Sequence, residues 1–171
     1  YGGPYMNQTN PTMHLIFWGS EWNSGENLTR KNQVISDLQA ILNSDYYKGL
    51  AQYGGIKTPV YGSAVTNTTS STSFPNNIIS TSDYAQVIRD SISAGQVPNA
   101  NNDTLNNVGN LSNVNLRRIY VVFLPEGLSR TENPDDPGQS VHSHARMNTG
   151  NNAFFTFSGI DNFKFRNPSW T

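Results

Sequence analysis

The hydrophobic pattern of the chain predicts strands that alternate with helices. Two short runs are apolar on both faces: residues 13–18 (MHLIFW) and residues 119–124 (IYVVFL). Strands of this kind are typical of a sheet that helices cover on both sides. We therefore expect the first run to be a central strand that stops at Gly19. The second is a strand of the same type, and Pro125 ends it.

Between these runs the apolar spacing predicts two amphipathic helices. The first is capped by Asn27 or Thr29, breaks near Ser44 and then continues to the glycine pair at residues 54–55. Its apolar face is expected at Val34, Ile35, Leu38, Ile41 and Leu42. The second begins at Thr81 or Ser82, has Asp83 in its first turn and stops at Gly95. Its buried face is expected at Tyr84, Val87, Ile88 and Ile92.

The remaining segments complete an α/β pattern. Residues 56–66 and 153–157 predict strands, whereas residues 67–80, 96–115 and 132–138 predict loops. This order indicates a mixed sheet with helices packed against it. The 171 residues are enough for one such domain, residues 1–171. The aromatic residues near the end indicate a tail that docks on the domain, pairs with another chain, or continues into a longer protein of which this is the N-terminal part.

The amino-acid composition favours some classes of protein and excludes others. Only 13% of the residues are charged, while Asn, Ser, Thr and Gly are abundant, which is commoner in extracellular and cell-surface proteins. A net charge of −1 gives no indication of the basic surface that binds nucleic acid. No apolar run approaches the ~20 residues that span a bilayer. Without cysteine, the chain can form no disulfide, cysteine zinc site or thiolate nucleophile.

Five Asn-x-Ser/Thr tripeptides are candidate glycosylation sites, and they lie at Asn7, Asn27, Asn67, Asn102 and Asn110. An extracellular protein would carry glycans at such positions. A chain so rich in Asn, Ser and Thr also contains these tripeptides by chance, so both explanations stay open.

The candidate metal ligands are His142 and His144, together with Asp135. Two histidines at i and i+2 on extended chain lie on one side, which suits zinc, and a nearby carboxylate can complete the site. The alternative is a polar loop whose histidines bond to the backbone or to solvent. A calcium loop at residues 99–110 is less consistent with the sequence, because Thr104 and Asn110 replace the required Gly and Glu.

No catalytic residue can be assigned, because phosphate-binding loops, a nucleophile elbow and a His-Glu-x-x-His helix are all absent from the sequence. His14, inside the first strand, is expected to be a half-buried core histidine. Trp22 and Trp170 are candidate exposed platforms on which sugar rings could stack.

Several short motifs resemble those of the EXORDIUM, or phosphate-induced-protein, family of secreted plant proteins and microbial relatives. They are GGP at residues 2–4, HLIFWG at 14–19 followed by Trp22, LNSDYY at 42–47, LAQY at 50–53, and YVVFL at 120–124 leading to a histidine. The resemblance covers residues 1–160. It implies an extracellular or wall-associated protein whose biochemical activity is poorly defined.

The resemblance also bears on the histidine pair. Relatives often carry a Cys-Gly-x-His turn after the Val-Val strand, and here His144 keeps the histidine while the cysteine and glycine are missing. Many microbial relatives continue into a helix like the metal-binding helix of zinc peptidases. Such a helix in a longer parent protein would favour an enzyme.

Three functions follow from the sequence. The first is a non-enzymatic extracellular protein that binds a ligand or associates with further copies of itself. The second is a metal-dependent hydrolase, or its inactive remnant, built on His142 and His144. The third is a carbohydrate-binding module for cell-wall or surface glycans that presents Trp22 or Trp170.

Overall fold

A computed structural model describes residues 12–50, 59–99, 118–125, 127–128, 140–148 and 151–160. Its α-helices are α1 (Gly25–Asn43), α2 (Asp45–Leu50) and α3 (Thr81–Ser93). Its strands are β1 (Thr12–Trp18), β2 (Val60–Asn67), β3 (Arg118–Phe123), β4 (Ser140–Asn148) and β5 (Asn151–Ile160). Two 3-10 turns, Ser20–Asn23 and Pro75–Asn77, follow β1 and β2.

The five strands form one sheet in the order β2-β1-β3-β5-β4. Strand β1 pairs in parallel with β2 and β3, and β3 pairs in parallel with β5. Strand β4 is antiparallel to β5 at the edge. The prediction of an α/β fold with a mixed sheet and helices packed against it is confirmed, and β1 is an interior strand as its apolar pattern indicates.

Side chains of β1 alternate between two apolar layers, one on each face of the sheet. Ile16 and Trp18 belong to the layer under α3, and Leu15 and Phe17 to the layer under α1. The α3 layer also contains Ile79, Tyr84, Ala85, Val87, Ile88, Val97, Tyr120, Val122, Leu124 and Leu128. The α1 layer contains Trp22, Val121 and Phe123, with Val34, Ile35 and Leu38 packed against it.

The connections between the strands make β1 the point at which the strand order reverses. From β1 the chain crosses one face through α1 to β2, and it returns across the other face through α3 to β3 on the opposite side of β1. In open α/β sheets, ligands bind in the crevice beyond the carboxyl ends of the strands at such a reversal.

Helix α1 differs from its prediction at both ends. Its N-cap is Ser24, with extended backbone at φ −149°, so the predicted caps Asn27 and Thr29 are wrong. Leu42 is buried, but Ile41 is 49% exposed and does not belong to the buried face. The predicted break is confirmed at Ser44, whose hydroxyl donates to the Ile41 carbonyl at 2.6 Å.

Helix α3 follows its prediction closely. It begins at Thr81, and Tyr84, Val87 and Ile88 are buried against the sheet. The Asp83 carboxylate accepts a hydrogen bond from the Ser80 N–H at 2.6 Å, which satisfies a donor at the helix start. None of the helices in the described ranges is both long and apolar enough to cross a membrane.

The strands predicted from the sequence differ from the observed ones toward the carboxyl terminus. Strand β4 is not predicted, because its residues (SVHSHARMN) contain no apolar run, and β5 is longer than the predicted 153–157. The predicted helix end at residues 54–55, the loop at residues 100–115, the acidic loop at 132–138 and the aromatic tail lie outside the described residues.

Candidate functional site

A cleft of about 330 Å³ opens where the loops after β1, β2 and β3 meet. It is lined by Glu21, Thr72, Asn77, Pro125, Gly127 and Leu128. Each of these residues follows the carboxyl end of a parallel strand, so the cleft lies at the reversal of strand order where α/β sheets bind ligands. We call it the carboxyl-end cleft.

The three loops of the carboxyl-end cleft each turn through left-handed backbone. Gly19 has φ 110°, Asn77 has φ 58° after Asn76 at φ 56°, and Gly127 has φ 88°. Glycine adopts these angles freely, and asparagine does so more readily than other residues with a side chain. Two consecutive left-handed asparagines are a local strain of the kind that clusters at binding and active sites.

Among the described residues of the carboxyl-end cleft, Glu21 is the acidic one. Its carboxylate folds back over Gly19, so a Cβ added to Gly19 would lie against both carboxylate oxygens. Within the described part of the chain, no group donates a hydrogen bond or forms an ion pair with this carboxylate. Its oxygens are therefore available as acceptors for a ligand.

The remaining polar groups of the cleft suit hydrogen bonding rather than proton transfer. Thr72 contributes a hydroxyl, and Asn77 contributes an amide that both donates and accepts. Leu128 supplies an apolar wall that is almost fully buried. Among the described residues, one carboxylate, one hydroxyl and one amide over an apolar wall match the mixed polar and apolar surface of a small hydroxylated molecule.

A second cavity, of about 620 Å³, lies at the opposite ends of the strands beside the carboxyl-terminal turn of α3. Its lining includes His14 of β1 and Ser63 of β2, with 2.8 Å between His14 Nδ1 and Ser63 Oγ. The His14 ring stacks on Tyr120, whose hydroxyl donates to the Pro98 carbonyl at 2.7 Å. His14 is only 3% exposed, which confirms a core histidine and buries it more deeply than predicted.

The structure describes the strand that carries two of the three predicted metal ligands. His142 and His144 lie on the edge strand β4, where their backbone pairs with Ser158 and Thr156 of β5. Asp135 lies outside the described residues. Among the residues whose positions are described, no group of three or more metal-ligating side chains is close enough to hold an ion. Zinc or calcium binding therefore stays a prediction.

One of the predicted glycosylation sites is wrong. Asn67, at the end of β2, is fully buried, and its amide nitrogen donates to Ser91 Oγ at 2.8 Å. A glycan attached to that nitrogen could not be accommodated beside α3. Asn27 lies half-buried in the first turns of α1, and Asn7, Asn102 and Asn110 lie outside the described residues.

The predicted exposed platform at Trp22 is also wrong. Trp22 is 9% exposed, and its ring lies 5.1 Å from Phe17 and 6.4 Å from Phe123, so it belongs to the α1 layer. Trp170 and the rest of the tail lie outside the described residues, so self-association through the tail stays a prediction.

Sequence reasoning missed Glu21 and Asn77 as site residues. The available signals were the position of Glu21 just after the glycine that ends β1 and the Pro-Asn-Asn turn at residues 75–77. Neither signal identifies a cleft until the three loops are brought together.

Comparison with protein-family models, curated proteins and solved structures gave no match. The resemblance to the EXORDIUM family therefore stays a prediction. Because one fold serves many functions, the function has to be argued from the geometry of the site.

Proposed function

We propose that the protein is a non-enzymatic binding protein that holds a small hydroxyl-rich ligand, of the saccharide class, in the carboxyl-end cleft. The observation that carries this proposal is the Glu21 carboxylate, which has no hydrogen-bond donor within the described structure and lines the cleft at the reversal of strand order. A carboxylate forms charge-assisted hydrogen bonds with ligand hydroxyls, and these are stronger than neutral ones.

The composition of the cleft favours binding over hydrolysis. Glycoside hydrolysis ordinarily uses two carboxyl groups that flank the bond, whereas Glu21 is the one carboxylate among the described residues that line the cleft. The low share of charged residues, 13%, supports a site of action outside the cell or at its surface. The cleft volume is at the lower end of the roughly 300–1,000 Å³ of small-molecule pockets, which favours a ligand of one or two sugar rings.

Removal of the Glu21 charge is expected to weaken saccharide binding. The test is a calorimetric titration of the wild-type chain and Glu21→Gln with a panel of neutral mono- and disaccharides. We expect Glu21→Gln to raise the Kd about tenfold or more, since hydrogen bonds to charged groups contribute about 1.5–3 kcal/mol. Glu26→Gln, an exposed change in α1, is the matched control and should leave the Kd unchanged.

The paired asparagines provide a second control that separates binding from folding. Asn76→Gly and Asn77→Gly both replace a left-handed asparagine with glycine, so neither removes a favoured backbone conformation. Only Asn77 lines the carboxyl-end cleft. We expect Asn77→Gly to weaken binding and Asn76→Gly to leave it unchanged. Equal effects of the two changes, or no saccharide binding by the wild type, would contradict the proposal.

A further inference from the structure

The Glu21 carboxylate gives the carboxyl-end cleft a negative charge. Glu21 is half-buried, and its side chain folds back over Gly19 while it lines the cleft. The other described residues that line the cleft are uncharged. The described wall of the cleft therefore carries a negative charge and no positive charge.

The charged groups on the neighbouring elements do not compensate this carboxylate. Within the described structure, no basic side chain forms an ion pair with Glu21. In α1, which follows the Glu21 turn, Arg30 pairs with Glu26 instead. Helix α3 follows the Pro-Asn-Asn turn and has Asp83 in its first turn, where an acid offsets the positive end of the helix. A positive charge beside Glu21 would thus have to come from a ligand.

A neutral ligand would cover the Glu21 carboxylate without neutralising it. A bound ligand displaces water, and an ionised carboxylate that loses water without gaining an opposite charge is costly. The hydroxyl groups of a neutral sugar replace the hydrogen bonds of water but supply no charge. An ammonium group supplies both, and its hydrogen bond to a carboxylate is stronger than one between neutral groups.

We propose, on the basis of the saccharide binding proposed above for the same cleft, that the ligand is an amino sugar whose ammonium group forms an ion pair with Glu21. The Thr72 hydroxyl and the Asn77 amide then bind hydroxyl groups of the ligand. One face of the sugar ring packs on Leu128, the apolar wall of the cleft. The positive charge distinguishes this ligand from neutral sugars of the same shape.

The first test is a calorimetric titration of the wild-type chain at about pH 6 and low salt. Glucosamine, a cation at this pH, is compared with the neutral glucose and N-acetylglucosamine and with the anion glucuronate. The pairs galactosamine–galactose and mannosamine–mannose are titrated in the same way, and the pair that binds most tightly decides. We expect the amino sugar to bind about tenfold more tightly than its neutral partner. Glucuronate should bind more weakly than glucose.

The outcomes of this titration separate the charge of the ligand from saccharide binding itself. If neutral sugars bind as tightly as their amino counterparts, the amino-sugar inference is overturned and the proposed saccharide binding stands. If no saccharide binds, both are overturned.

Two further measurements on the wild type examine the ammonium–carboxylate pair. Raising the salt concentration from about 0.02 M to about 0.5 M should weaken binding of the amino sugar several-fold and leave glucose binding unchanged, because salt screens charge pairs. Ethanolamine, an ammonium compound without a sugar ring, should bind about tenfold more weakly than the amino sugar, since it lacks the ring and most of the hydroxyls. Salt-independent binding of the amino sugar, or equally tight binding of ethanolamine, would overturn the inference.

Glu21→Gln is the matched variant, because it removes the charge and keeps the shape of the side chain. In this variant we expect the amino sugar and its neutral partner to bind with Kd values within about twofold of each other. Glu26→Gln removes a charge at an exposed position of α1 and should keep the tenfold preference of the wild type. A preference for the amino sugar that survives in Glu21→Gln would show that Glu21 is not its partner.

Discussion

Replacement of Asn67 by alanine is expected to lower the free energy of unfolding by about 3 kcal/mol, because it removes a fully buried polar side chain and leaves its partners unpaired. The amide nitrogen donates to Ser91 Oγ at 2.8 Å and to the Val87 carbonyl at 3.3 Å. The amide oxygen accepts from the backbone N–H groups of Ser70 at 2.9 Å and Thr69 at 3.1 Å.

These hydrogen bonds join elements that also meet through apolar packing and through the hydrogen bond that Ser70 Oγ donates to Asp90 Oδ2 at 2.7 Å. The side chain ties the end of β2 to α3, and the Asn67 carbonyl accepts from the Gly19 N–H at 2.8 Å. Asn67 thereby fixes the position of the loop that carries Thr72 and Asn77 relative to the turn that carries Glu21. Loss of its side chain is expected to weaken ligand binding as well as stability.

The measurement is urea-induced unfolding of Asn67→Ala and of the control Thr68→Ala, whose side chain is exposed. We expect the control to stay within about 0.5 kcal/mol of the wild type. Asn67→Asp keeps an acceptor for the Ser70 N–H but directs a carboxylate oxygen at the Val87 carbonyl, so it should also destabilise strongly. Stability of Asn67→Ala close to that of the wild type, or a glycan on Asn67 in the native protein, would refute this account.

The elements that could be predicted from the sequence are those whose buried side chains recur at a regular spacing along the element. In α3 the spacing of Tyr84, Val87 and Ile88 defines the buried face, and a glycine two residues beyond the last turn marks its end. In β1 the unbroken apolar run predicts a strand covered on both faces. Both features depend on periodicity within one element, which the sequence contains in full.

The predictions failed where contacts with another element decide whether a residue is buried or whether a segment is a strand. Ile41 continues the apolar rhythm of α1, but no layer of the described structure covers it. Trp22 stands among polar residues, but the rings of Phe17 and Phe123 enclose it. Strand β4 has no apolar pattern of its own and is extended because it pairs with β5. None of these partners can be read from the local sequence.

The site residues were missed for a related reason. The Asn-x-Thr tripeptide at Asn67 is the same whether the asparagine is a surface glycosylation site or a residue buried against α3. Only the packing distinguishes the two cases. Glu21 and Asn77 are separated by more than fifty residues and meet because β1 and β2 are parallel neighbours. Long-range geometry of this kind requires the sheet order, which the pattern of apolar residues does not specify.

The second large effect is expected at Gly62, where alanine should lower the free energy of unfolding by about 2 kcal/mol because its Cβ would overlap the side chains of Thr12 and His14 in the neighbouring strand β1. Met13 pairs with Tyr61 and His14 pairs with Ser63, so Gly62 is an extra residue that forms a bulge in β2. A Cβ at Gly62 would lie 2.5 Å from His14 Cε1 and 2.5 Å from Thr12 Cγ2. Neither group can remain in place.

His14 cannot move aside cheaply, and this makes the clash testable. Its ring is buried, stacks on Tyr120 and bonds to Ser63 across the bulge. The measurement is a double-mutant cycle by urea unfolding with Gly62→Ala, His14→Ala and the two together. Because His14→Ala vacates the space that the new Cβ needs, Gly62→Ala should cost at least about 1 kcal/mol less in the His14→Ala background.

Gly49→Ala is the matched control for the Gly62 experiment. Gly49 lies in α2, has no positive φ, and a Cβ there would meet nothing within 4 Å. We expect this change to raise the free energy of unfolding by about 0.5–1 kcal/mol, since alanine favours a helix over glycine. If Gly62→Ala lowers the free energy of unfolding and Gly49→Ala raises it, the destabilisation comes from the contact with His14 rather than from the loss of glycine itself. Additive effects in the cycle would show instead that His14 is not what requires glycine at position 62.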